Sequence, residues 1–210
     1  MRTYQAKYTE ESKAREALKT AEEALVTQYV WGGEYQPKNT AKLVWTEEAF
    51  HYSMCSIEKA GNMRAVETGI SPVVHKDSCL EFFFSPLPES RKDYINIEIN
   101  PIGGTFIAIG LDRHDRILRT DLDLKILQIE NCMEETDGIA RWGFTARIPY
   151  TLIAMLLRIE TYLPPTYITA NFYKCGDATP QAHYGVWNAI GTEQPDYHRP
   201  EFFGKIELCR

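Results

Sequence analysis

Residues 94–100 alternate apolar and polar side chains in the way that a two-faced β-strand requires. The apolar members are isoleucines, whereas the polar row consists of Tyr94, Asn96, Glu98 and Asn100. Carboxylates accept hydrogen bonds and amides both donate and accept them, which suits neighbouring hydroxyl groups. With an aromatic ring in the same row, this pattern indicates a surface that binds something polar and uncharged, such as a sugar. Glu98 and Asn100 are its strongest candidates for ligand contact.

A second polar and aromatic row occurs in residues 166–174. Its members are Tyr167, Thr169, Asn171 and Tyr173. If the two strands lie close together on one sheet, both rows form one binding surface, to which Asn171 and Tyr173 contribute. The alternative for the first row is a solvated strand face, or an internal network with Arg141 or Arg147.

Two further residues stand out. Glu81 lies among apolar neighbours in the run 79–85, where a carboxylate must be paired or hydrogen-bonded, so it either anchors a ligand or fixes a loop. The ring of Trp187 suits the flat C–H face of a sugar, and the alternative is an aromatic residue of the core or its rim. We expect the other tryptophans in the core: Trp31, Trp45 and Trp142.

Size and charge limit the classes of partner. The chain has 210 residues and a formal net charge of −6. We find no basic stripe, so neither nucleic acid nor an anionic membrane surface is expected as a partner. No apolar run is long enough to span a bilayer. These features favour a globular domain that binds an uncharged ligand.

The N-terminal residues and the cysteines bear on the compartment. The start of the sequence lacks the apolar core of a signal peptide, so we expect a cytoplasmic location, or an extracellular one if a leader was removed. No two of the five cysteines form a C-x-x-C pair, which leaves zinc and thioredoxin-like chemistry without support. Cys55 and Cys79 lie in strand-like runs, where free cysteine acts as a small buried apolar residue.

The elements that would position these residues are mainly strands. A helix is predicted over residues 10–26, because alanines and leucines recur there at three- and four-residue steps. A short helix is predicted at 150–157, after Pro149. Ten strands are predicted at a spacing near ten residues, which favours a sandwich or barrel: 41–46, 49–58, 79–85, 93–100, 104–111, 122–131, 139–148, 166–174, 184–189 and 203–208.

Several of these segments resemble carbohydrate-binding modules of family 9. Asp77–Phe83 is similar to the family's D-x-x-x-E-h-F strand. The following segments continue the similarity in order: Tyr94–Asn100 with a glycine turn at 103–104, Trp142–Pro149, Asn171–Asp177, His183–Trp187 and Pro195–Gly204. The resemblance implies a jelly-roll-like sandwich of two antiparallel β-sheets over residues 30–210. The predicted helix places a helical N-terminal extension before it, over 1–29.

The resemblance also implies a function and a site. Family 9 modules bind sugars without catalysis, in support of carbohydrate breakdown and in partnership with glycoside hydrolases. They hold the ring between two tryptophans. Trp187 matches one of these, and His75 is the candidate nearest to the place of the other. Glu98 and Asn100 stand where the family has arginine and asparagine, so the asparagine is retained.

Other functions remain open at this point. Glu81 and Glu98 could in principle serve as the two carboxylates of a glycoside hydrolase. A haem- or redox-binding sandwich would take axial ligands from Met54, Met63 or a histidine. A stand-alone interaction domain with a decayed sugar site is a further alternative. We expect no cofactor, although relatives can bind calcium, for which oxygen ligands are available at Asp77, Asp112, Asp115 and Asp177.

Overall fold

The computed structural model describes residues 1–31 and 33–210, whose strands form one mixed, curled sheet. The strands are β1 (Thr3–Tyr8), β2 (Ala24–Leu25), β3 (Lys38–Trp45), β4 (Ala49–Lys59), β5 (Cys79–Ser85), β6 (Tyr94–Ile99), β7 (Thr105–Gly110), β8 (Arg116–Leu118), β9 (Glu130–Thr136), β10 (Ile139–Pro149), β11 (Tyr167–Cys175), β12 (Tyr184–Val186) and β13 (Gly204–Cys209). Their order across the sheet is β8-β7-β6-β5-β11-β13-β1-β3-β4-β10-β9, while β12 pairs with β11 and β2 pairs with β3.

Two α-helices accompany these strands: α1 (Ala14–Thr20) and α2 (Tyr150–Leu157). The position of α2 is as predicted. Helix α1 is shorter than the predicted 10–26, because the backbone becomes extended at Ala21 and Ala24–Leu25 then pairs with β3. The apolar face of this helix is mostly alanine, which buries little area and competes poorly with sheet pairing. Neither helix is long and apolar enough to cross a membrane.

Strand β1 lies in the middle of the sheet, between β13 and β3, and pairs with both in parallel. The expectation of purely antiparallel sheets is therefore wrong for this strand, and the remaining strand pairs described here are antiparallel. Residues 1–29, expected as a helical extension, thus supply a strand to the sheet. The boundary between residues 29 and 30 stays a prediction.

The curl brings the two halves of the sheet face to face across the main core. Phe82 and Phe84 of β5 meet Tyr52 and Phe50 of β4, with ring centres 5.3 and 6.2 Å apart. The isoleucines of β6 and Trp142 of β10 are buried in the same core, as predicted. This packing turns the polar row of β6 to the outer face of its half-sheet.

A charged pair lies inside this apolar packing and links the two halves. The side chains of Glu58 on β4 and Lys174 on β11 are both fully buried, and Lys174 Nζ is 3.4 Å from Glu58 Oε1. Glu58 also accepts hydrogen bonds from Trp142 Nε1 and Ser78 Oγ. Lys174 Nζ donates to the Cys175 carbonyl at 3.1 Å. The Glu58 carboxylate of β4 therefore links Trp142 of β10 and Ser78, which precedes β5, to the cation on β11.

Candidate functional site

The outer face of β5, β6 and β11 has its own covering of loops. Residues 188–203, which we call the covering loop, pack Ile190, Tyr197 and Phe203 against Phe83 and Tyr94 of the sheet. Beside Tyr197 a cavity of about 420 Å³ remains open. Its lining residues are Pro72, His75, Glu81, Glu98, Phe106, Arg113, Arg116, Cys175, Asp177, Tyr184, Gln194, Pro195, Tyr197 and His198. A cavity of this size falls within the range of small-molecule sites.

The floor of the cavity is set by strand register. Glu81 of β5 lies directly opposite Glu98 of β6, Glu98 is opposite Phe106 of β7, and Glu81 is opposite Tyr173 of β11. Successive side chains of a strand point to opposite faces, so these four share the outer face. Neighbouring strands therefore place two carboxyl groups side by side on one floor.

Both carboxyl groups have an oxygen atom without a protein partner. Glu98 Oε1 accepts a hydrogen bond from Asn96 Nδ2 at 2.9 Å. Within the described residues, Glu98 Oε2 and Glu81 Oε1 accept none, although Glu81 is only 2% exposed and Glu98 only 4%. An unsatisfied buried acceptor costs about 1–3 kcal/mol, so these two oxygens need donors from outside the protein framework, such as water or the hydroxyl groups of a ligand.

Burial and mutual repulsion raise the pKa values of the two glutamates on the cavity floor. Burial raises the pKa of Glu81 well above its ordinary value, and the neighbouring Glu98 raises it further. Burial also raises the pKa of Glu98, against the opposing effects of Arg116 and of the Asn96 hydrogen bond. Two carboxylates this close do not both ionise readily. Together they hold a proton at pH values where exposed glutamates have lost theirs.

Because of this proton, the free energy of unfolding depends on pH. The folded state binds the proton more tightly than the unfolded state, so the pair's contribution to stability falls as the pH rises above the ordinary glutamate pKa. We expect Glu98→Gln to gain stability relative to the wild type between about pH 5 and about pH 8. Urea unfolding of both proteins across this range measures the difference.

Buried histidines change the stability with pH in the opposite direction, so only the difference between the two proteins isolates the effect of the glutamate pair. Burial lowers the pKa values of His75, His183 and His198, so their contribution to stability is lost as the pH falls. This contribution is common to the wild type and the variant and cancels in the difference. A difference in unfolding free energy that does not change with pH would contradict the shared proton.

The walls of the cavity are aromatic and held in place. Tyr197 stacks on Tyr173 with ring centres 4.1 Å apart, and Tyr173 OH donates to the Tyr197 carbonyl. Tyr184 OH donates to Asp177 Oδ1. His198 Nδ1 lies 2.8 Å from Tyr94 OH, and burial lowers the pKa of His198, which keeps its ring neutral. Such walls are preorganised for a ligand with apolar faces.

Two arginines stand at the mouth of the cavity. Arg113 pairs with Asp196 of the covering loop at 3.0 Å. Arg116 Nε donates to the Arg113 carbonyl at 3.0 Å, and the guanidinium carbon of Arg116 is 5.4 Å from the ring centre of Phe106. The mouth is therefore basic, whereas the floor is acidic.

The structure brings together some of the predicted site residues. His75, Glu81 and Glu98 line the cavity. Tyr173 is fully buried and supports the wall residue Tyr197 from below. Trp187 is 3% exposed and packs in the main core against Phe172, so its ring has no face open to the cavity. The position of Trp187 thus offers no support for the stacking role predicted for it.

The two predicted asparagines lie elsewhere and are fully occupied. Asn100 donates to the Glu67 carbonyl and to Asp77 Oδ2, and its oxygen accepts from the backbone of Ile102 and Gly104. Asn171 donates to the Asn188 carbonyl, and its oxygen accepts from two backbone N–H groups. Both amides fix loops and lie outside the cavity lining.

The sequence reasoning missed most of the wall and mouth. The sequence pattern around Tyr184 and Tyr197 does not distinguish a tyrosine in a binding site from one packed in the core. Arg113 and Arg116 lie in a charged segment that resembles any solvent-exposed loop. The axial-ligand candidate Met54 is buried in the main core.

Metal-binding capacity is limited to one cluster in the described chain. Atoms of Cys79, Glu81 and Glu98 lie within 4.8 Å of one another. Burial raises the pKa of the Cys79 thiol well above its ordinary value, so this sulfur stays protonated and is a poor ligand. Calcium takes oxygen ligands, and the Asp77 carboxylate is already bound by Arg64, Asn100 and two backbone N–H groups.

One protein family matches most of the chain. The sequence model of carbohydrate-binding family 9 matches residues 14–208. A protein from Bacteroides uniformis proposed to bind carbohydrate has 25% sequence identity and a TM-score of 0.80, over 98% of each chain.

Two more distant structures share the fold. They are structures of a family 9 carbohydrate-binding module from Caldicellulosiruptor kristjanssonii. The cellotriose complex has 11% identity and a TM-score of 0.57, over 99% of this chain and 94% of the other. The glucose complex has 12% identity and a TM-score of 0.57, over 100% of this chain and 97% of the other. No curated protein gives a significant match.

Proposed function

This chain belongs to carbohydrate-binding family 9, and from that premise we propose that it holds a sugar in the cavity above Glu81 and Glu98. Its function is to bind carbohydrate without catalysis. The observation that carries the choice of cavity is the pair of buried carboxyl oxygens without protein donors, Glu81 Oε1 and Glu98 Oε2. Adjacent sugar hydroxyls are donors of the kind that both oxygens accept.

The walls support the same ligand. A pyranose has flat C–H faces and hydroxyls at its edge, so it packs its faces on aromatic rings while its edge seeks polar groups. Here Tyr184, Tyr197 and His75 stand around the polar floor. In place of the family's pair of tryptophans, this cavity offers tyrosine and histidine. We expect weak binding, with dissociation constants of about 1 μM to 1 mM, because each hydrogen bond replaces one to water.

Removing one wall should weaken sugar binding while leaving the fold intact. We expect Tyr184→Ala to lower the affinity for glucose or cellobiose about three- to tenfold, the worth of one aromatic contact. Isothermal titration calorimetry measures this directly. Tyr167→Ala is the matched control, since Tyr167 is equally half-buried on β11 but lies outside the cavity lining. No heat of binding with any sugar at millimolar concentration would overturn the assignment.

The same titration tests the proposal that no metal is needed. Protein treated with EDTA is expected to bind sugar with unchanged affinity, because the buried thiol of Cys79 stays protonated and the Asp77 carboxylate is already bound. A loss of affinity that calcium or zinc restores would contradict this and would favour a metal among Cys79, Glu81 and Glu98.

A role beside a glycoside hydrolase in carbohydrate breakdown is a further part of the proposal, and it rests on family membership. A catalytic role for this chain itself is less well supported by the geometry. The acid and nucleophile of a glycosidase flank the bond they cleave. Glu81 and Glu98 are neighbours on adjacent strands of one sheet face, so both would contact a ligand from the same side.

A further inference from the structure

We propose that the sugar bound in this cavity carries an acidic group, such as the carboxylate of a hexuronic acid, and that Arg116 binds this group. The inference rests on the proposed function and specifies its substrate class. The inference follows from Arg116 at the mouth of the cavity, because an uncharged sugar would offer no anionic partner to its guanidinium.

Arg116 is held in position without a direct ion pair to a carboxylate in the described chain. Its Nε donates to the Arg113 carbonyl, and its guanidinium lies against the ring of Phe106. Within the described residues, its two terminal nitrogens donate to no protein acceptor and it forms no ion pair. Most other arginines of the described chain pair with a carboxylate, as Arg119 does with Asp121. A positioned guanidinium with free N–H groups in a cavity lining is a preformed anion site.

The other charges of the cavity already have partners. Arg113 pairs with Asp196, and Asp177 accepts a hydrogen bond from Tyr184. Glu81 and Glu98 lie on the same floor as Phe106, and the charge of Arg116 acts on both across the cavity. Neither carboxyl comes within 4.0 Å of the Arg116 guanidinium among the described residues, so no direct ion pair occupies its terminal nitrogens. The space between the guanidinium and the floor is the cavity itself.

A ligand that satisfies both ends must therefore have two kinds of group. Hydroxyls on one side would donate to the free oxygens of Glu81 and Glu98. An anionic group on the other side would accept from the terminal nitrogens of Arg116 in a bidentate arrangement. A hexuronic acid has both on one ring. A sulfate ester on a sugar presents the same chemistry at the same place.

The test uses sugar pairs that differ only in this group. Calorimetric titration of the wild type should show glucuronate binding at least about tenfold more tightly than glucose, or galacturonate more tightly than galactose. The preference should weaken as the salt concentration rises. In Arg116→Gln the preference should disappear, so that the uronate and its neutral counterpart bind with affinities within about twofold of each other.

Arg119→Gln is the matched control, since it removes the same charge from an arginine outside this cavity and should keep the preference. A 6-sulfated sugar that binds more tightly than the uronate would support the anion site and identify a sulfate ester as the group that Arg116 binds. Neutral sugars that bind as tightly as their uronates would overturn this inference and leave the proposed function standing. Binding of neither kind would overturn both.

Discussion

Replacing Lys174 with methionine should lower the free energy of unfolding by about 3–5 kcal/mol, the usual cost of leaving a buried charge without its partner. Methionine has a similar length, so the loss reflects charge and hydrogen bonding more than volume. Glu58 would keep the hydrogen bonds from Trp142 and Ser78 but lose the only cation within 4.0 Å in the described chain. Urea denaturation followed by circular dichroism measures the change.

Two further variants separate the charge effect from packing. Lys205→Met removes a half-buried lysine of β13 that is paired with Glu207 near the surface, so its cost should be below about 1 kcal/mol. The double variant Glu58→Gln with Lys174→Met should recover part of the loss, because glutamine still accepts from Trp142 and leaves no buried charge. A double variant as unstable as the sum of its single variants would show that the pair is not coupled.

Replacing Glu81 with glutamine should move stability and ligand affinity in opposite directions. The variant removes a carboxyl group whose ionised form is disfavoured by burial and by Glu98, so we expect it to be more stable by about 0.5–2 kcal/mol near pH 8. The affinity for sugar should fall about three- to tenfold, since glutamine replaces one of the two carboxyl oxygens by an N–H donor and a hydrogen bond between neutral groups contributes about 0.5–1.5 kcal/mol.

The opposed changes are the signature of a binding residue, because a residue kept only for packing would lose stability when changed. Glu134→Gln is the control, since Glu134 lies exposed on β9 and should affect neither quantity. Thermal unfolding and calorimetric titration of the same samples provide both numbers. A Glu81→Gln protein that is less stable and binds sugar normally would assign Glu81 to the framework.

Local alternation was enough to predict much of the sheet. The isoleucines of β6 are in the core and Glu98 is on the opposite face, because side-chain direction in a strand depends only on position along it. The opposition of Glu81 and Glu98 depends on register, which the alternation of one strand does not fix. The same limit explains Asn171, which shares a face with Tyr173 but is bound to Asn188 of the covering loop.

The rest of the site depends on loops that pack over the sheet. Trp187 has the residue type that stacks on a sugar, yet its ring contacts Phe172 in the core and its backbone N–H donates to the Phe172 carbonyl. Arg116 and Tyr184 come to the cavity from separate strand ends. Strand β1 was missed because six residues with polar Gln5 and Lys7 give a weak apolar signal.

The pairing of β1 between β13 and β3 has a consequence for biosynthesis. Because Thr3–Lys7 and Lys205–Cys209 are partners, a nascent polypeptide emerging from the ribosome holds its first strand half-paired until translation reaches Gly204–Cys209. Contacts of such large sequence separation form slowly. Until then β11 and β1 each expose an edge that another chain could occupy, so the protein is vulnerable to misassembly until β13 has been made.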